Sequence, residues 1–160
     1  PNLGGLTVNA AVSLGEATAG RDAAINGQYR SGPLYVGIAY EKISGGPVAT
    51  DGDSLTNLGV IYDFGFIKPA LYLARAEVGG GQRSNDAASI AATVPLGRGS
   101  AYLVYGRFDP EGNDNLQRKV GAGYGYPLSK RTNLYADVGH AREDGKTNNT
   151  AYGVGIKHTF

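Results

Sequence analysis

Asp137, His140 and Glu143 place two carboxylates and an imidazole within one short stretch, the ingredients of general acid–base chemistry. The other histidine, His158, stands apart, and neither imidazole has the nucleophile and orienting acid that covalent catalysis requires. Asp109, Glu111, Asn113 and Asp114 gather oxygen donors of the kind calcium takes, and Asp51 with Asp53 do so in a second stretch. Solvated loop carboxylates account for both sets, so the expectation is no metal site, with Asp109, Glu111 and Asp114 its weak exception. GAGYGY (121–126) has the glycine spacing of a nucleotide loop but alternates like a strand and lacks the helix that such a loop must open. Cysteine is absent, which removes disulfides, thiolate metal sites and cysteine nucleophiles.

A different chemistry needs no reaction: charge displayed along a surface. Arg30, Glu41, Asp63, Lys119, Asp137 and Lys157 fall on the register opposite the apolar residues of their segments, and Arg107 joins them from a segment of ambiguous register. What positions them is a set of strands. The 160 residues include 26 glycines and 11 tyrosines against 4 phenylalanines. Glycine is costly inside helices, and tyrosine favours strands. The formal net charge of +1 comes from 15 basic and 14 acidic residues scattered along the chain, with no basic block to suit a nucleic acid. The length fits one domain or a large piece of one, and the absence of methionine marks a processed chain or a fragment.

Turn-forming residues punctuate the chain at two alternating intervals. The short breaks are SGP (31–33), FGF (64–66), PLGRGS (95–100) and PLSKRT (127–132). The long ones are GEATAGRD (15–22), SGGPVATDGDS (44–54), VGGGQRSND (78–86), DPEGNDN (109–115) and REDGKTNN (142–149). Between them lie ten segments of period-two pattern, clearest in LTVNAAV, LYVGIAY, NLGVIYDF, ASIAATVPL and VGAGYGYPL. ALYLARAE and AYLVYGRF are apolar in both registers, which leaves the facing of Arg75 and Arg107 undetermined; Lys68 and Arg75 lie in opposite registers.

Ten antiparallel strands in an up-and-down meander put every short turn at one end and every long loop at the other. That asymmetry is the rule in outer-membrane barrels and foreign to a Greek-key sandwich. Facing agrees. One register of several segments is glycine, alanine, asparagine and charge, which cannot fill a core. Turned toward water, with the apolar register toward lipid, the pattern is physically consistent. No run of about 18 apolar residues exists, so there is no transmembrane helix, but a membrane strand needs only about 9 to 11 residues. The expected fold is all-β, an antiparallel up-and-down transmembrane β-barrel. Residues 1–160 form a single barrel domain, or the carboxy-terminal portion of one, without a linker.

Three stretches carry a resemblance. PNLGGLTVNAAVSLGE, LSKRTNLYADVG and the closing TAYGVGIKHTF together resemble the carboxy-terminal part of the general diffusion porins of Gram-negative bacteria, the β-proteobacterial kind in particular. The resemblance implies a sixteen-strand barrel of which these are the last ten strands, with six strands, a constriction loop and a secretion signal elsewhere. It implies a homotrimer in the outer membrane, in contact with membrane lipid, lipopolysaccharide and the missing amino-terminal portion, and no cofactor or nucleic acid. The implied function is a channel for passive diffusion of small hydrophilic solutes and ions. Arg30, Glu41, Asp63, Arg107, Lys119, Asp137 and Lys157 would line its lumen. The excess of basic over acidic residues among them predicts a mild anion preference. The resemblance also makes Tyr152, Val154, Ile156, His158 and the terminal Phe160 an assembly signal. The alternatives are a small ten-strand barrel with a rim enzyme built on Asp137, His140 and Glu143, and a non-conducting structural barrel.

Overall fold

The computed structural model describes residues 3–14, 20–44, 51–111 and 116–160. Ten strands account for most of them: β1 (Leu6–Ser13), β2 (Arg21–Ser31), β3 (Leu34–Ser44), β4 (Ser54–Tyr62), β5 (Lys68–Val78), β6 (Arg83–Leu96), β7 (Gly99–Pro110), β8 (Gln117–Pro127), β9 (Thr132–Glu143) and β10 (Asn149–His158). They form one antiparallel sheet whose order is the chain order. Where the chain reverses, its residues supply the required backbone. Gly32 adopts φ 52° and is followed by Pro33, so the β2–β3 hairpin has glycine where φ must be positive and proline where φ near −65° suits the turn.

Register sorts the side chains. Directly opposed residues share a face. One continuous line runs Val8, Gly27, Ile38, Leu58, Leu73, Ala88, Arg107, Arg118 and Arg142. The line one residue over runs Thr7, Gln28, Gly37, Gly59, Tyr72, Ser89, Gly106, Lys119 and Ala141 on the other face. The first face holds all the large aliphatic side chains that strands leave exposed, among them Ile25, Ile38, Ile90, Leu103 and Val154. The exposed large residues of the second face are aromatic: Tyr72, Tyr102, Phe108 and Tyr135.

Among the described residues none is buried. The sheet is a single layer with no protein core, so the hydrophobic effect that stabilises a soluble domain has nothing here to act through except an apolar surrounding. The strands run 8 to 14 residues, the length that crosses a bilayer as tilted β-structure. β1 pairs only with β2 and β10 only with β9, which leaves an edge at each end of the described sheet.

The strand ends at Ser13 and Arg21, Ser44 and Ser54, Val78 and Arg83, Pro110 and Gln117, and Glu143 and Asn149 lie at one end of the sheet, and the connections 32–33, 63–67, 97–98 and 128–131 at the other. The expected long break over 78–86 is shorter than its composition suggests. β5 and β6 stay paired as far as Val78 and Arg83, and the reversal is made by Gly79, Gly80 and Gly81, all with positive φ. Polar residues in that break belong to strand ends, where Asp86 faces Arg75.

Candidate pore-lining face

The polar face is built from every second residue of ten strands, so its charges are spaced by the pleat along a strand and by hydrogen-bonded pairing across it. Arg30, Glu41, Lys119, Asp137 and Lys157 share it, in line with the expectation from alternation. Two residues expected there stand elsewhere. Arg107 lies on the apolar face, directly opposite Ala88 and Arg118, because β7 is apolar in both registers and only its pairing with β6 selects the one used. Asp63 lies past the end of β4, in the 63–67 turn, rather than along a strand. Four charges missed from sequence join the face: Asp22, Lys68, Arg83 and Glu143. The pairing of Lys68 with Thr93 and of Arg83 with Val78 places them, and no local pattern announces it.

Glycines set the shape of this wall. Tyr102 is the cross-strand partner of Gly123, and its ring occupies the space a side chain there would need. Tyr135 does the same over Gly155. A carboxylate oxygen of Asp137 lies 2.7 Å from the position of a Cβ on Gly153. Polar-face side chains therefore fold flat along the sheet instead of standing out from it. Cross-strand aromatic rings over glycine are a known means of pinning register. Near the short-turn end Arg30 stacks its guanidinium 4.3 Å above the Tyr35 ring, which holds the cation against the wall.

At the same end the Asp63 carboxylate accepts a hydrogen bond from the Gly65 amide at 2.9 Å and pairs with Lys68 Nζ at 2.7 Å. The Lys68 ammonium first, and the Gly65 amide second, hold this carboxyl below its ordinary value. Tyr62, Phe64 and Phe66 cluster beside it, with centroid separations of 4.4 and 6.2 Å. Amphipathic and aromatic rings of this kind suit a membrane–water boundary.

The apolar face changes character toward the long-connection end. Arg75 donates two hydrogen bonds to Asp86, at 2.7 and 2.9 Å, and Arg107 pairs with Asp109. Arg118 stands directly between Arg107 and Arg142 and reaches Asp144 at 3.5 Å. Glu111 accepts from the Ser84 hydroxyl at 2.7 Å and amide at 2.6 Å; these two bonds lower its carboxyl from the usual value. Asp109 and Glu111 are thus engaged by protein partners, and Asp114 lies outside the described residues. Asp53 accepts from the Gly80 amide at 3.1 Å.

Register also separates the acid–base trio. Asp137 and Glu143 lie on the polar face, while His140 lies on the apolar face with Nδ1 2.8 Å from Thr150 Oγ1. Tyr152, Val154, Ile156 and His158 share the apolar face of β10, and Phe160 follows the strand with its ring 4.8 Å from that of His158.

Comparison with known proteins places this arrangement. Residues 1–146 match the family model described as Gram-negative porin. Outer membrane porin protein 32 of Delftia acidovorans is 29% identical over 100% of this chain and 54% of its own length. An outer membrane porin protein of Bordetella pertussis is 32% identical over 83% of this chain and 44% of its own. The chain thus spans about half the length of the curated relatives it matches. Among solved structures, an anion-selective porin from Comamonas acidovorans superposes with a TM-score of 0.80 at 24% identity, covering 100% of this chain and 57% of that one. OmpT of Vibrio cholerae gives 0.71 at 18% identity, with 96% and 61% covered. A single-layer, two-faced meander that superposes on these porins has the fold of a barrel wall, and the chain belongs to the Gram-negative porin family of the outer membrane.

Proposed function

We propose that this chain forms the carboxy-terminal ten strands of a channel wall through which small hydrophilic solutes and ions diffuse passively, with a mild preference for anions. The observation that carries the reading is the division of one coreless sheet into an aliphatic face and a polar, charged face. Lipid covers the first and water fills the space beside the second, so a solute crosses without entering hydrocarbon. The edges of β1 and β10 must be paired in the membrane, because unpaired backbone is not tolerated in hydrocarbon. The amino-terminal portion of the same porin would supply them, and the relatives' greater length leaves room for it. Trimer formation and contact with lipopolysaccharide are part of the same proposal. Among the described residues the polar face carries charges dispersed over several strands and does not bring Asp137, His140 and Glu143 together, which supports a channel over an enzyme.

Selectivity rests on the lumen charges. Among the described strand residues the polar face carries Arg30, Lys68, Arg83, Lys119 and Lys157 against Asp22, Glu41, Asp137 and Glu143. The small excess of cations raises the local concentration of anions. In planar bilayers with a potassium chloride gradient the reversal potential is expected to have the sign of chloride permeation, and Lys119→Glu to move it toward potassium. A cation-selective wild-type channel overturns the selectivity, and absence of conductance overturns the channel.

A further inference from the structure

The polar face is not uniform. Toward β8–β10 it is charged, but across β2–β5 the positions between Arg30 and Glu41 carry no charge at all. They form a depression of about 400 Å³, walled by Asn26, Gln28, Asn57, Tyr35 and Tyr72. That volume lies in the range of small-molecule sites, roughly 300 to 1,000 Å³.

Its floor is low for a defined reason. Gln28, Gly37, Gly59 and Tyr72 are consecutive cross-strand partners, so two glycines separate an amide from a phenol. Three inter-strand spacings make that gap roughly 14 Å. A side chain at Gly59 would meet nothing within 4 Å, so the gap is open there, whereas over Gly37 the Tyr35 ring lies with its hydroxyl 3.0 Å from where a Cβ would stand. Two residues along on the same face, Asn26, Ala39 and Asn57 form the parallel row.

The amides have capacity to spare. Asn26 Oδ1 accepts from Asn9 Nδ2 at 3.0 Å, which orients the Asn26 amide and leaves its own NH₂ group to donate. The side chains of Gln28 and Asn57 have no hydrogen-bond partner among the described residues, although both are half-buried. Tyr35 is fixed beneath Arg30, so the nearest cation is already occupied with a ring. A site with paired donors and acceptors, two aromatic rings and no formal charge suits a ligand with alternating hydroxyls and a weakly polar C–H face.

We propose that this window is a binding subsite for a neutral carbohydrate of about one to two sugar units, passed along the wall during permeation. The proposal rests on the reading that the polar face lines a conducting lumen. The probe is sucrose, added during ion-current recording on the purified channel, with a polyethylene glycol of similar hydrodynamic size as control. Sucrose is expected to reduce the current along a saturating curve, while the polymer produces a decline linear in concentration. Asn57→Ala and Tyr72→Ala should each raise the half-saturating sucrose concentration about fivefold, the loss of roughly one hydrogen bond or ring contact, with the block read as a fraction of each variant's own sucrose-free conductance. Tyr72→Phe should retain most of the affinity. A sucrose effect as linear as the polymer's, or equal half-saturation in wild type and both alanine variants, overturns the subsite while the channel stands. No channel at all overturns both.

Discussion

Asp63 shows how a single carboxylate earns its position. It closes the β4–β5 turn through the Gly65 amide and clamps the first residue of β5 through Lys68. Both partners favour the ionised form, so the folded carboxyl titrates below its ordinary value of 3.8. A depressed carboxylate contributes stability that is complete above the unfolded value and lost as pH falls through the folded one. The advantage of wild type over Asp63→Asn in urea unfolding from detergent should therefore be constant from neutral pH to about 3.8 and shrink below it. A difference that persists unchanged into strong acid would show that the turn depends on shape rather than on charge. Arg107 teaches the complementary lesson: its spacing from Phe108 and Tyr105 was readable, but not which of the two faces it would join.

At the scale of the element, β10 is the informative strand. Its apolar register was legible from alternation alone, and pairing with β9 keeps Tyr152, Val154 and Ile156 on one face at 80%, 84% and 66% exposure. A strand with one partner presents both an unpaired backbone edge and an aliphatic row. The proposal that β10 serves as an assembly signal rests on these two features. Phe160 lies beyond the last hydrogen-bonded pair, fully exposed, and touches His158. Deleting it should reduce outer-membrane assembly in cells far more than it alters heat-modifiable migration of protein refolded in detergent. Equal losses in both assays would assign Phe160 to stability instead. β5 and β7 were the least legible strands, because apolar residues in both registers give alternation no contrast to act on.

For the whole molecule, the charged row on the apolar face locates the membrane. An arginine at the bilayer midplane of a barrel costs about 2 to 4 kcal/mol, and about 0 to 1 near the interface. Arg75, Arg107, Arg118 and Arg142 occur together toward the long-connection end, so the hydrocarbon ends below them. The protein has no cysteine, which permits single-site labelling. Fluorophores on Ile90→Cys and Leu103→Cys should be quenched by brominated acyl chains, whereas one on Arg107→Cys should respond to an aqueous quencher. Deep acyl-chain quenching at position 107 would move the boundary. The sequence by itself determined the strand count, the direction of the meander, the two-faced design and the family, because a period of two and turn residues are local properties of the backbone. Pairing decided the rest. It chose the face of Arg107, added Lys68 and Arg83 to the polar face, folded Tyr102 and Tyr135 over glycines, and left the uncharged window open at Gly59. Each of those depends on which residue lies opposite on the next strand, and that is a relation between distant segments that no single stretch contains.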